Sequence, residues 1–352
     1  MLASLINDRH RQQGQCSPFF SLEFYPPLKD QPKNMSDFFD MLNYLKQAQP
    51  LFVDITWSRR NDPGNLCKLN SSSAIAIATA DIFGKERTML HICCNDHTKA
   101  ESVSHVEQTL GHGIPNIMAL RGDDLPEVTP TLNGQLLNTK HYATELVKWT
   151  RQLEGVRGIC GDNRLTVAVA GHIFSPIKTV SYGQCMEYLK AKVDAGADFI
   201  VTQFFLDANL FEQFRADCRS IGISVPILPG ILLFKSAASL RKIAELSNVP
   251  IPQQISQTLK QIGSDTVAVQ NYAVQLAYDM CRNIFSAGHT TGIHIFTLNQ
   301  RDMCGKLLKR LGFWPTMNLE ISAKLNDNDE TNIIKKEHLK ISLNGTPTRK
   351  TA

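Results

Sequence analysis

Tyr182-Gly183-Gln184-Cys185-Met186-Glu187-Tyr188-Leu189-Lys190-Ala191-Lys192-Val193-Asp194-Ala195 is followed, three residues on, by Phe199-Ile200-Val201-Thr202-Gln203-Phe204. The first run has the mixed polar and apolar spacing of an amphipathic helix. The second is a mainly apolar hexamer, as expected of a parallel strand buried on both faces. Outward from this pair the same alternation recurs along the chain. Strand-like runs occupy Phe19–Phe24, Leu51–Trp57, Thr88–Cys94, Asn116–Leu120, Leu165–Ala170, Pro226–Ile231 and Gly292–Thr297. Helix-like runs occupy Ser36–Gln47, Ser71–Phe83, Lys99–Leu110, Thr139–Leu153, Asn209–Ser220, a longer double segment over Ala237–Ala287, and Arg301–Leu311. Eight strand-then-helix repeats predict an α/β fold, a (β/α)8 TIM barrel with extra helices before the last strand. A two-sided open sheet is the alternative, but no G-x-G-x-x-G follows the first strand, and the pair Gly111 and Gly113 lacks the third glycine.

The 352 residues allow one barrel of about 250 residues with additions, or two ordinary domains. We expect a flexible segment over residues 1–16, a barrel over 17–314 and a mobile polar tail over 315–352, where Asn, Lys, Asp, Glu and Thr dominate. Hydrophobic residues at 43% against 20% charged exclude a disordered chain. The net charge of +4, with Lys and Arg spread along the chain, argues against nucleic acid as a partner. No apolar run approaches the roughly 18 residues of a membrane span, and Met1–Gln15 resembles neither a signal nor a transit peptide, so a cytoplasmic location is expected. Nine cysteines without a C-x-x-C pair are expected to be reduced thiols. His91, Cys93, Cys94 and His97 straddle a strand end and make a poor zinc site, so no metal is expected.

In such a barrel the chemistry belongs at the C-terminal ends of the strands. There the sequence offers Glu23, Asp54, Thr56, His91, Arg121, Gly122, Asp123, Thr202 and Gln203. Glu23 lies between Leu22 and Phe24, where an ionised carboxylate is costly; burial raises a carboxyl pKa, which suits a general acid. A structural carboxylate paired with a barrel cation is the other reading. Asp123 follows a glycine that permits close approach to a ligand, and is equally an N-cap candidate. His91 reads as a satisfied core histidine or a site residue. Gln203 reads as a heterocycle partner or a partner for a barrel carbonyl. Arg121 and Lys192 could meet phosphates or simply be solvated.

Over Pro18–Trp314 the chain resembles the flavin-dependent methylenetetrahydrofolate reductases. The resemblance rests on Ser21-Leu22-Glu23-Phe24-Tyr25-Pro26-Pro27, on Phe52-Val53-Asp54-Ile55-Thr56-Trp57, and on His91-Ile92-Cys93-Cys94. It continues through Asn116-Ile117-Met118-Ala119-Leu120-Arg121-Gly122-Asp123, Lys192 to Phe205, Pro229-Gly230-Ile231 and Phe296-Thr297-Leu298-Asn299. It implies a catalytic barrel holding FAD, which passes a hydride from NADH or NADPH to 5,10-methylenetetrahydrofolate and yields 5-methyltetrahydrofolate, in one-carbon and methionine metabolism. By motif position Glu23 resembles the acid that protonates folate N10, Asp123 the carboxylate beside flavin and pterin, and Gln203 a folate-binding residue. Thr56, His91, Arg121, Gly122, Tyr142, Ala143 and Lys192 fall at flavin-contacting positions. The departures lie on the cofactor side. His172 stands where the family has tyrosine, Pro176 where it has histidine, and Cys185 where it has an aspartate for a FAD hydroxyl. They motivate an alternative, a flavin-free folate-binding subunit or a folate-dependent methyl-transfer protein on the same barrel. The resemblance also implies a homo-oligomer, and it covers only the catalytic barrel, so the S-adenosylmethionine-binding domain of animal and fungal members is not expected.

Overall fold

The computed structural model describes residues 1–12, 17–95, 97–122, 141–175, 180–288 and 290–315. Strands β1 (Phe19–Phe24), β2 (Phe52–Ile55), β3 (Thr88–Cys93), β4 (Asn116–Leu120), β5 (Thr166–Gly171), β6 (Phe199–Phe204), β7 (Ile227–Leu232) and β8 (Gly292–Phe296) close into a barrel in chain order. Every neighbouring pair is parallel, and β8 returns to β1 with Ser21 level with His294. Closure is why the strands read as continuous apolar runs: one face meets the interior and the other meets helices, so neither is wetted.

Side chains alternate along each strand and sort into two sets. Phe20, Leu22, Phe24, Val53, Ile55, Leu90 and Ile92 join the outer core beneath the helices. Phe19, Phe52, Met89, Met118, Ala168, Phe199, Val201 and Leu228 form a separate cluster inside the barrel. By the same alternation Ser21, Glu23, Asp54, His91, Gln203 and His294 share the interior set. Between β6 and β7 the register shifts. There Gly230 is required by space: a Cβ on it would lie 2.4 Å from the Thr202 carbonyl oxygen.

Around the barrel run α2 (Pro32–Lys46), α3 (Ser72–Phe83), α4 (Lys99–Gly111), α5 (Ala143–Arg157), α6 (Tyr182–Asp194) and α7 (Ala208–Ser220), preceded by α1 (Leu2–Arg11). After β7 come α8 (Ala237–Leu246), α9 (Gln253–Ile262) and α10 (Thr266–Ser286), and α11 (Arg301–Arg310) follows β8. Most begin at a side-chain cap. Ser71, Thr98, Ser181, Ser236 and Asp265 each accept a hydrogen bond from a backbone N–H of the first turn.

Three differences from the sequence reading have physical causes. Within the segment before Ser17, expected to be loosely held, Leu2–Arg11 form α1, whose Leu2 and Ile6 are buried in the interior cluster at the base of the barrel. The Ala3 N–H donates to Thr166 Oγ1 at 3.2 Å, and Arg9 lies 5.5 Å from the Phe19 ring centre. The double segment over Ala237–Ala287 is three helices, because Asn248 takes φ +49°, Pro252 caps α9, and Gly263 ends it before Asp265 caps α10. Helix α5 begins at Ala143 because Tyr142, in extended backbone, caps it, and the expected start at Thr139 lies outside the described residues. The tail expectation falls on residues 316–352, outside the described residues. No helix among the described residues is long and apolar enough to cross a membrane.

Candidate active site

The C-terminal end of the barrel gathers a polar group that is almost wholly buried. Glu23 and Asp54 are level in the β1–β2 register, with exposures of 5% and 0%. The Thr56 hydroxyl donates to Glu23 Oε1 at 2.5 Å, and the Thr297 hydroxyl donates to the Glu23 carbonyl at 2.6 Å, so the first and last strands are clamped at this residue. His91 Nε2 lies 3.0 Å from Asp54 Oδ2.

Beneath Glu23 sits His294, fully buried, a residue the sequence reading did not single out. Its Nδ1 is 2.8 Å from Ser21 Oγ, and its Nε2 is 3.6 Å from Glu23 Oε2 and 3.8 Å from Asp54 Oδ2. A lone pair on Nε2 would point at two carboxylates, so the proton belongs on Nε2, with Nδ1 accepting from Ser21. At these distances neither His294 Nε2 nor Asp54 Oδ1 completes a hydrogen bond. Orphaned polar atoms this deep are destabilising, and they cluster at functional sites because a ligand or a moving proton completes them.

This geometry corrects the expectation for Glu23. Burial pushes its carboxyl pKa up, but the charge of His91, the imidazole of His294 and the Thr56 hydroxyl together hold it below the ordinary value. For His91 burial works toward the neutral form, and Glu23 and Asp54 overcome it, so the imidazole lies above its ordinary value. Sequence context showed that Glu23 is buried. Only barrel closure shows that two histidines surround it. Glu23, Asp54 and His294 also present ligand atoms within 4.8 Å of one another, the arrangement among the described residues that could hold a cation.

A second group lies at the end of β5. Lys192, on α6, donates to the Ala170 carbonyl, and burial pushes its pKa down to about 8, with Cys185 acting weakly the other way. His172, just past β5, is pushed down to about 4 by burial and by Lys192, which keeps it neutral. No carboxylate pairs with Lys192 among the described residues. A buried ammonium held by one carbonyl is a poor structural ion and a good receiver of an anion.

A third group lies past β4. The Arg121 guanidinium stands 5.3 Å from the Tyr142 ring centre, and Tyr142 caps α5 ahead of the buried Ala143. Gly122 has φ +86°, a conformation L side chains rarely adopt, and a Cβ there would approach Cys93 Cβ at 3.0 Å. Gln203 is half-buried on β6, and its Oε1 accepts from the Phe204 N–H at 2.9 Å. Asp123 and Pro176 lie outside the described residues. The structure therefore brings Glu23 and Thr56, as one bonded pair, to the same rim as the His91–Asp54 pair, sets Arg121 against Tyr142, and sets His172 beside Lys192. His294 had a readable signal: it is a histidine inside the apolar run Gly292–Phe296, as His91 is inside its own strand.

Residues 7–312 match the family described as methylenetetrahydrofolate reductase. The chain is 38% identical over 312 residues to a Caenorhabditis elegans protein named probable methylenetetrahydrofolate reductase (NADPH), covering 88% of this chain and 45% of that one. It is 32% identical over 311 residues to methylenetetrahydrofolate reductase (NADH) 1 of Arabidopsis thaliana, covering 86% and 49%. To the 5,10-methylenetetrahydrofolate reductase of Escherichia coli it is 30% identical over 303 residues, covering 86% and 93%. The chain thus spans about half the length of its animal and plant relatives and nearly all of the bacterial one. Among solved structures, an uncharacterized Clostridium thermocellum protein that binds two copies of 5-methyl-5,6,7,8-tetrahydrofolic acid is similar, with a TM-score of 0.56 and 10% identity over 86% of this chain and 99% of that one. At that identity the likeness shows the fold alone.

Proposed function

The chain belongs to the methylenetetrahydrofolate reductase family, and on that footing we propose that it reduces 5,10-methylenetetrahydrofolate to 5-methyltetrahydrofolate with FAD and NADH or NADPH. The observation that carries this reading is Glu23, a buried carboxyl on the rim held by Thr56 with His294 beneath it. FAD, when bound, supplies the two-electron relay from the nicotinamide to the folate methylene carbon.

The residues present fit such a group. The orphaned His294 Nε2 and Asp54 Oδ1 mark a rim built to be completed by a ligand. Lys192 and Arg121 are cations suited to a diphosphate, with Tyr142, Ala143 and Gly122 beside Arg121 and with Thr56 and His91 on the Glu23 side. His172, neutral, adds a hydrogen-bonding edge next to Lys192. Asp123 and Gln203 are assigned to the folate by motif position.

Glu23 must deliver a proton to folate N10, opening the five-membered ring to an iminium cation. In the resting site its carboxyl is ionised near neutral pH. A folate seated over the rim excludes water, and this desolvation raises the carboxyl. Glu23 takes that proton from solvent as the folate arrives, and His294, with its Nε2 3.6 Å from Glu23 Oε2 and its Nδ1 beside Ser21, positions the carboxyl. The raised pKa of His91 favours its protonated form beside Asp54, and in that form it limits the cost of two neighbouring carboxylates.

The test is a spectrum followed by a half-reaction. Purified, desalted protein should bind about one FAD per chain, be bleached by NADH or NADPH without oxygen, and be reoxidised by 5,10-methylenetetrahydrofolate. A yellow protein that the folate never reoxidises would overturn the reading. Cys185 and His172 favour one second reading, a flavin-free folate binder or methyl-transfer protein, and a colourless protein that ignores added FAD would select it. We place the reaction in one-carbon and methionine metabolism, in the cytoplasm, in a homo-oligomer.

A further inference from the structure

At the opposite end of the barrel a cavity of about 310 Å³ opens between the last turn of α1 and the turn joining α7 to β7. We propose that this cavity is a binding site for a phosphate-type oxyanion, held by His10, Arg215 and Arg219. None of these three residues has a place in the proposed reaction.

The argument starts from charge. The described residues around the cavity include His10, Arg215 and Arg219 and the turn from Gly222 to Val225, with no acidic side chain among them. Arg215 is only 8% exposed, and Glu212 Oε1 accepts from its Nη2 at 3.2 Å. Arg219, on the same face one turn later, forms no ion pair among the described residues. His10 is half-buried against both arginines, and its pKa is lowered first by burial and then by Arg219 and Arg215. Arg9 and Arg11 flank it in the last turn of α1.

Three cationic or protonatable groups converging on one recess repel one another, and the repulsion is strong where water is partly excluded. A multiply charged anion reverses its sign. Two guanidinium forks and an imidazole N–H suit tetrahedral oxygens, since arginine pairs bidentately with phosphate. The recess is too small for a nucleic acid strand. It admits a phosphoryl group, free or carried on a small metabolite.

Occupation would have a structural consequence. His10 ends the helix whose Leu2 and Ile6 close the base of the barrel, whereas Arg215 and Arg219 belong to α7. A shared anion would tie α1 to α7, which now meet across like charges.

The probe is inorganic phosphate, titrated calorimetrically at constant ionic strength with and without excess FAD, with glycerol phosphate as a second arm. Arg219→Gln and His10→Gln are suitable variants, because neither residue is fully buried. The expected result is saturable binding unaffected by FAD, about tenfold or more weaker in Arg219→Gln, together with slower hydrogen exchange of α1 amides when phosphate is bound. Tighter binding of glycerol phosphate than of phosphate would support the site and assign its source to a phosphorylated metabolite; the reverse order would support it for the free ion. Absent or non-saturable binding, equal binding by wild type and Arg219→Gln, or competition by FAD would overturn it.

Discussion

The two ends of this barrel are built from the same alternation and treat polarity in opposite ways. At the base, Phe19, Phe52, Met89 and Phe199 fill the interior and α1 covers them with Leu2 and Ile6. At the rim the same inward positions carry Glu23, Asp54 and His91, with His294 just below, and two buried polar atoms there complete no hydrogen bond. The base is stabilised by removing apolar surface from water. The rim gives up some of that stabilisation to hold groups whose protonation can change. A barrel tolerates this because its strands run from one environment to the other, so two positions along a strand suffice to separate stability from chemistry.

That contrast can be tested in order of effect. Glu23→Gln, nearly isosteric, should slow folate reduction by about a hundred- to ten-thousandfold while reduction of bound FAD by the nicotinamide stays largely intact. Stopped-flow measurement of the two half-reactions checks this, and loss of both with FAD still bound would remove Glu23 from the acid role. At the base, Phe199→Ala should cost about 3 to 5 kcal/mol of stability by opening a cavity. Denaturant titration measures it, and FAD affinity of the remaining folded protein should not change. A parallel loss of affinity would show that the two ends are coupled.

Lys192→Met should weaken FAD by about 5- to 150-fold, as removal of one charge-assisted contact predicts. Flavin fluorescence quenching reads this directly. An unchanged affinity would return Lys192 to a structural role with Ala170.

A smaller effect is expected from pH. Glu23 has a lowered folded pKa, so its stabilisation is full above its ordinary value of 4.5 and is lost as pH falls through the folded value. His91 has a raised folded pKa, so its contribution is full below 6.5 and is lost as pH rises through the folded value. The two coexist between about 4.5 and 6.5. The melting-temperature gap between wild type and His91→Gln should be widest there, and a gap that is flat with pH would mean the pair is not ionic. The smallest change concerns the scaffold of the rim. Ser71→Ala, which removes the cap of α3, should cost about 1 kcal/mol and leave catalysis untouched.

The strands were legible because burial on both faces leaves a composition, continuous apolar residues, that needs no partner to recognise. All eight fall within two residues of their expected ends. Helix α1 was not legible, since in Leu2–Arg11 only Leu2 and Ile6 are buried, Leu5 is exposed and most of the rest is polar. Such a short stripe becomes a helix only when a barrel base lies under it. The three helices over Ala237–Ala287 were merged because the breaks at Asn248–Pro252 and Gly263–Asp265 are short. In the site, Glu23 and Thr56 stand at strand ends, where the chemistry of a barrel is expected, whereas His91 stands inside β3. His294, mid-strand like His91, lies below the rim, so only the closed barrel shows that it faces Glu23.

What the sequence by itself determined is the period of the structure: eight apolar strands, their helices, the residues at each strand's end, and the family to which their order belongs. What only the tertiary structure decided is the state of those residues. Whether Glu23 is raised or lowered, which imidazole faces it, and whether Lys192 has a counter-ion all depend on atoms brought within 4 Å by closure of β8 on β1 and packing of α6 on β5. Burial leaves a trace in the apolar pattern of the neighbouring residues, whereas electrostatic balance falls off steeply with distance through space and leaves none along the sequence.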